Sequence, residues 1–265
     1  MRPLSALTKA EARGLVGLLF DLDDTLLSHG RLTREAYDAL WSLQDAKIRL
    51  VAVTGRPSGW GEVIVRQWPI DAAVTENGAI VLHREGNTVR ALDGVGDEER
   101  RSRRVRLARI VEAARLAVPE VRLTDDVGAR RADVTWDVGE SMRVPADRVA
   151  LLEKVIVEHG ARTTRSSVHV HATFDGDDKA SGAVRFLTRF LGEDAGAART
   201  RWAFIGDSGN DRPCFSAFRT TFGVANVEAS IGSLAVPPRY VASAPMGAGF
   251  AEVAAAILEA RDVSG

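Results

Sequence analysis

The pattern of apolar and polar positions has two textures along the chain. In its first and last parts, short apolar runs stop abruptly at polar residues and give way to longer stretches with apolar residues at helical spacing. Gly17 to Phe20 ends at Asp21, Arg49 to Val53 ends at Thr54-Gly55-Arg56, and Trp202 to Ile205 ends at Gly206-Asp207. Thr33 to Ala46 places Ala36, Leu40 and Leu43 on one helical face, with Thr33 as the N-cap. Continuous apolar strands alternating with amphipathic helices predict a parallel sheet covered on both faces. Val74 to Val81 reads as a strand, an Asn-Gly turn and a returning strand. Near the end, a Gly-containing loop through Gly247 and Gly249 is expected to lead into a helix from Phe250 to Glu259.

Between Arg84 and Thr173 the pattern changes to strict alternation. "ADVTWDV" sets Asp133, Thr135 and Asp137 against Val134, Trp136 and Val138, and "SVHVHATF" sets His169 and His171 against Val168 and Val170. Such strands have one wet face, which predicts a half-exposed antiparallel sheet. The fold class expected is α/β: a Rossmann-like parallel-sheet core from residues 1–83 and 174–265, with a smaller α/β unit, residues 84–173, inserted into it. The basic run Glu98 to Arg109 reads as a solvated helix with i,i+4 ion pairs rather than as a patch for nucleic acid.

Composition narrows the picture. At 265 residues and 45% hydrophobic, the chain can bury a sizeable core. Its 35 Lys and Arg nearly cancel 36 Asp and Glu, so neither nucleic acid nor an anionic membrane is expected as a partner. No run approaches the apolar length of a membrane span, and Met1 to Arg13 lacks the apolar stretch of a signal peptide. A soluble cytoplasmic protein, monomer or homodimer, is expected. The single cysteine, Cys214, excludes an intrachain disulfide and a Cys-based zinc site.

In open α/β sheets ligands bind beyond the carboxyl ends of the strands, so the three polar tips are where chemistry should lie. One tip carries Asp21, Asp23 and Asp24; another carries Asp207 and Asp211 in "GDSGND". Caps and turns explain many such acids singly. Several converging on one edge would repel each other unless a divalent cation sat among them, and an oxygen-only donor set suits Mg²⁺. With a Thr-Gly tip on a neighbouring strand and a later lysine, the set points to phosphoryl chemistry.

"DLDDT" (Asp21 to Thr25), "VTGR" (Val53 to Arg56), Lys179 in "DDKASGAV" and "GDSGND" (Gly206 to Asp211) resemble, in order and setting, the four motifs of the haloacid dehalogenase superfamily. "ENGA" (Glu76 to Ala79) and the late glycines resemble its branch with a large α/β cap between the second and third motifs. That branch includes sucrose-phosphate and mannosylphosphoglycerate phosphatases, Cof-like hydrolases and the phosphomannomutases. The resemblance implies a Mg²⁺-dependent phosphatase acting on a small phosphorylated metabolite, most naturally a sugar phosphate. Asp21 would be the nucleophile forming an aspartyl-phosphate, and Asp23 the acid and then base. Asp21, the Asp23 backbone carbonyl and Asp207 would hold Mg²⁺, with Asn210 and Asp211 behind them. Thr54, Gly55 and Lys179 would bind the phosphoryl group.

Asp23 argues for phosphoryl transfer over dehalogenation, because a halide leaves without a proton whereas an alkoxide needs one. Asp24 reads as a turn residue without chemical role, Pro213 as a helix start and Cys214 as a small buried residue. On the inserted unit, Arg130, Arg131, Asp133, Asp137, His169 and His171 are candidates for recognising the rest of the substrate, the alternative for each being a solvated sheet face. The two histidines lack a third ligand nearby, which argues against a second metal site. A phosphotransferase or mutase using the same aspartates, and a non-catalytic metabolite-binding protein, are the competing readings.

Overall fold

The computed structural model of the protein describes residues 1–166 and 168–262. After β1 (Arg2–Pro3) and α1 (Lys9–Gly14), the buried strand β2 (Gly17–Phe20) ends in a turn and a hairpin of β3 (Leu27–Ser28) and β4 (Arg31–Leu32). Helix α2 (Arg34–Asp45), β5 (Arg49–Val53), α3 (Ser58–Gln67), β6 (Ala72–Thr75), β7 (Ile80–Glu85) and β8 (Thr88–Asp93) follow. The inserted unit then runs through α4 (Asp97–Ala117), β9 (Arg122–Leu123), β10 (Asp133–Asp137), α5 (Ala146–Glu158), β11 (Arg162–Arg165) and β12 (His169–Thr173). The chain returns as α6 (Lys179–Arg189), α7 (Ala195–Arg201), β13 (Trp202–Gly206), α8 (Arg212–Ala217), β14 (Thr220–Gly223), β15 (Tyr240–Val241) and α9 (Met246–Asp262).

The main sheet has the order β1-β15-β14-β13-β2-β5-β6-β7-β8, parallel except for the antiparallel pairs β6–β7 and β7–β8. The strand order reverses at β2, which lies between β13 and β5, and that is where an α/β sheet offers a crevice. Alternate residues of β2 feed opposite layers. Leu18 and Phe20 pack into the core that includes Leu40 of α2 and Val253 of α9, whereas Leu19 packs with Phe186 of α6 and Phe215 of α8. Each such fully buried side chain contributes about 1.5–3 kcal/mol of transfer free energy. In the inserted unit a four-stranded sheet, β11-β12-β10-β9, buries Trp136 and Val170 against Leu107 and Ile110 of α4 and Leu152 and Ile156 of α5.

Three expectations change. The boundary expected at residue 84 falls inside β7, whose pairing with β8 carries the main sheet to Asp93 before the chain leaves it. The helix expected from Phe250 starts at Met246 and contains both glycines; a side chain at 249 would meet the Ala244 carbonyl at 2.1 Å, so the close approach there requires glycine. The polar face of β10 is not open to water: Asp133, Thr135 and Asp137 are all buried. Alternation marks a polar face, and a polar face can be covered by polar contacts as well as by solvent.

The Thr33 cap forms as expected, accepting the Ala36 amide at 3.4 Å. The basic run lies on α4 with the Arg103–Glu99 pair at i,i+4, and Pro213 opens α8 beside the fully buried Cys214.

Candidate active site

The register of the sheet assembles the site. Phe20 of β2 is level with Ile205 of β13 and Ala52 of β5, so the residues leaving the three strands, Asp21, Gly206-Asp207 and Val53-Thr54, emerge side by side. The Asp21 amide still donates to the Ile205 carbonyl at 3.0 Å, which fixes the first residue of the turn to the sheet. Asp24 then takes a left-handed backbone, φ 56°, as a turn residue does.

Carboxylate oxygens of Asp21, Asp207 and Asp211 lie within 4.8 Å of one another, and all three residues are buried. Lys179 enters from the first turn of α6, a helix opened by a capping box of Asp178 and Ser181. Its ammonium lies 2.8 Å from Asp21 Oδ1 and 2.7 Å from Asp211 Oδ1. Asp211 Oδ2 accepts the amides of Asp207 at 2.9 Å and Ser208 at 3.2 Å. Asp211 is therefore occupied on both oxygens, holding the lysine and the Asp207 turn. Asp207 accepts the Thr25 hydroxyl at 3.1 Å on one oxygen and the Asn226 amide at 3.0 Å on the other. The same Asn226 nitrogen donates to the Asp24 carbonyl at 2.9 Å, tying the two acidic tips together.

Three buried carboxylates face one ammonium, and the shortage of positive charge appears in their protonation. Burial pushes Asp21 well above the usual carboxylate range, with Lys179 opposing and Asp211, Asp207 and Asp23 adding to the rise. Burial, then Asp211, pushes Asp207 up to about 7. Lys179 is held above its ordinary value: burial opposes its charge, but Asp21 and Asp211 outweigh it. An all-oxygen donor set with excess negative charge fits a hard divalent cation. The cluster of Asp21, Asp207 and Asp211 can coordinate one.

Asp23 lies outside the buried cluster, half exposed, and its carboxylate is gripped by Arg56 at 3.0 Å from Nε and 2.6 Å from Nη2. The Arg56 guanidinium also lies over the Trp60 ring, 4.5 Å from its centroid. Thr54 is buried and its hydroxyl oxygen accepts the Arg56 amide at 3.1 Å. The Asn77 amide donates to the Thr54 carbonyl at 3.1 Å, so the turn after β5 rests on the Glu76–Gly78 turn. Asn210 is exposed and accepts the Ser208 hydroxyl rather than pointing at the acids.

The inserted unit divides its candidates. Arg130, Asp133 and His171 form one buried chain: Arg130 Nη1 to Asp133 Oδ1 at 3.0 Å, and Asp133 Oδ2 to His171 Nδ1 at 3.0 Å. Asp137 instead accepts the amides of Gly139, Glu140 and Ser141, a turn cap with no oxygen to spare. His169 pairs with Glu140, and the Arg131 side chain is exposed. Sequence reading passed over Thr25, Arg56, Glu76 and Asn226 as site residues. Asn226 stood just past the tip of a fourth apolar strand, Thr220 to Gly223, which was a usable signal.

Residues 18–93 match the haloacid dehalogenase-like hydrolase family. No curated protein sequence matches the chain. Solved structures resemble it over nearly its whole length. A protein from Thermoplasma acidophilum is 17% identical with a TM-score of 0.73, covering 92% of this chain and 99% of its own. The sucrose-phosphatase of Synechocystis, solved with sucrose and phosphate, is 17% identical with a TM-score of 0.65, covering 92% and 98%. A haloalkanoate-superfamily phosphatase from Bacteroides thetaiotaomicron is 19% identical with a TM-score of 0.61, covering 91% and 94%. Among the described residues no helix is long and apolar enough to cross a membrane. The chain has the fold of the haloacid dehalogenase superfamily, an α/β core with an inserted cap, and its buried aspartate cluster supports a hydrolase.

Proposed function

We propose that the protein is a Mg²⁺-dependent phosphatase of a small phosphorylated metabolite, most simply a sugar phosphate, acting in the cytoplasm. The observation that carries this reading is Lys179 bridging Asp21 and Asp211 beside Asp207 at the strand-order reversal. Asp21 attacks phosphorus and becomes an aspartyl-phosphate, dividing one hard displacement into two easier ones. Lys179 neutralises charge on Asp21 and on the transferring phosphoryl oxygens. The Thr54 hydroxyl, already accepting from Arg56, keeps its own proton to donate to a phosphoryl oxygen. Asp23, once released from Arg56 and protonated from solvent, gives that proton to the leaving alkoxide. As the carboxylate it then takes a proton from the water that attacks phosphorus, freeing phosphate and restoring Asp21. Asp21, Asp207 and the Asp23 carbonyl would hold the cation, which when bound would supply Lewis-acid stabilisation of phosphoryl charge.

The similar fold of the sucrose-phosphatase solved with sucrose and phosphate suggests the substrate class. The test is phosphate release from a panel of phosphorylated metabolites with Mg²⁺ or chelator, for wild type and Asp21→Asn. Mg²⁺-dependent release from a few sugar phosphates, lost in the variant, is expected. Turnover that survives Asp21→Asn would refute the mechanism, and release only from non-sugar phosphates would refute the substrate class.

A further inference from the structure

The strip Ala129 to Asp133, which leads into β10, is bolted to the turns after β5 and β6 and to the start of α3 by bonds running in both directions. From the core, the Glu76 carboxylate accepts the amides of Arg131 at 2.9 Å, Ala132 at 2.5 Å and Asp133 at 3.2 Å. It also accepts the Ser58 amide at 3.0 Å, and the Ser58 hydroxyl donates to the Ala129 carbonyl at 3.2 Å. From the cap, Arg130 Nη1 donates back to the Gly55 carbonyl at 3.1 Å. Glu76 and Arg130 are both buried, and each ends on the backbone of the opposite unit.

From its sequence setting Arg130 is a candidate for recognising the rest of the substrate, with a solvated sheet face as the alternative. Four of its five N–H groups are engaged: Nε and Nη2 reach Asp126 at 3.4 and 3.5 Å, and Nη1 serves Asp133 and Gly55. A buried guanidinium with a single Nη2 hydrogen left has little to offer an incoming anion. What it does hold is one peptide plane. The Gly55–Arg56 peptide is pinned at its oxygen by Arg130 and at its N–H by the Thr54 hydroxyl oxygen. Fixing that plane keeps the Thr54 proton free to donate and sets the backbone from which Arg56 reaches Asp23.

We propose that Arg130 is a positioning residue of the phosphoryl-binding turn: through the Gly55 carbonyl, docking of the cap strip orders Thr54 and Arg56, so phosphate affinity depends on a cap residue that need not touch substrate. This rests on the phosphatase reading.

The test uses the full chain, with inorganic phosphate and Mg²⁺ as the calorimetric probe, p-nitrophenyl phosphate for turnover, and amide hydrogen exchange over residues 54–58. Arg130→Gln is expected to weaken phosphate binding and lower kcat by about tenfold or more, and to speed exchange in that segment. Arg130→Lys, retaining one donor group, should weaken phosphate binding by about threefold and recover part of kcat. Folded Arg130→Gln with affinity and kcat within about twofold of wild type would overturn the proposal. So would a loss explained wholly by the unfolded fraction. If Arg130→Gln does not fold, an unchanged phosphate affinity in Arg130→Lys overturns it. Wild type that binds no phosphate would sink the phosphatase reading along with this one; wild type that binds it regardless of Arg130 sinks this one alone.

Discussion

Lys179 and Asp211 meet at 2.7 Å with side chains that are 1% and 0% exposed. Removing one partner of a buried pair leaves an uncompensated charge, at a cost of about 3–5 kcal/mol. Here the loss is sharper in kind, because Lys179 is the ammonium among three carboxylates. Lys179→Met is expected to lower the unfolding free energy by about that amount in chelator. Mg²⁺ should then raise its Tm more than it raises the wild-type Tm, since the cation takes over the missing charge. Equal Mg²⁺ shifts in the two proteins would show that the lysine and the cation do not serve the same acids.

The lysine is aimed by a close backbone contact rather than by its own length. Helix α6 lies so near the Glu76–Gly78 turn that a side chain at Gly182 would meet the Gly78 carbonyl at 2.4 Å. Gly78 itself has φ +108°, with the Asp178 carbonyl 2.1 Å from where its Cβ would be. Gly182→Ala must push the helix away from the turn, at about 1–3 kcal/mol for overpacking. The expected outcome is a lower midpoint in urea together with a lower kcat, because the shift moves Lys179. A destabilised variant with full kcat would detach the contact from the site.

Much of the catalytic edge was legible because the two signals there are local. An apolar run that stops at Asp21, Thr54 or Asp207 reports both the strand and its polar tip within a few residues. What could not be read depends on partners far along the chain. Arg56 stands 33 positions from Asp23, and Glu76 55 to 57 from the cap amides it accepts. Both lie in segments that resemble family motifs, "VTGR" and "ENGA", but the motifs do not say which distant group each side chain meets. The cap failed for a related reason: alternation fixes which side chains share a face, not what covers it. Asp133 and Asp137 lie on the same strand, yet one joins an interdomain chain and the other caps a turn.

Arg100 was one arginine among many in a basic run, and it is the buried one on that side of the molecule. Its guanidinium reaches Asp93, where the chain leaves the core, at 2.6 Å, and Asp175, where it returns, at 2.7 Å. Arg103 adds a second contact to Asp175 at 3.2 Å. The two covalent crossings are thereby clasped to each other. Arg100→Met is expected to cost about 3–5 kcal/mol. Asp175→Asn in the same chain should recover part of that loss, since it removes the stranded charge. A double-mutant cycle in urea checks this; strictly additive losses would mean the clasp does not couple the crossings.

Asp133 gives the cap a pH dependence of definite sign. Burial alone would raise its value, but the His171 hydrogen bond and the Arg130 guanidinium together hold it below the ordinary carboxylate range. Glu76, which accepts the Asp133 amide, is the nearby acid, and burial raises it. Because the folded value of Asp133 lies below the unfolded one, near about 3.9, the ionised carboxylate contributes stability above about pH 4. That contribution falls away as pH drops through the folded value. Asp133→Asn lacks it, so wild type should exceed the variant by about 2 kcal/mol at pH 5, with the gap closing as the pH is taken from 5 to below about 4. Glu76 remains in both proteins and cancels from the comparison to first order. Urea unfolding of the pair across that range measures the gap directly, and a gap that widened on acidification would mean that Asp133 is held protonated rather than ionised between Arg130 and His171.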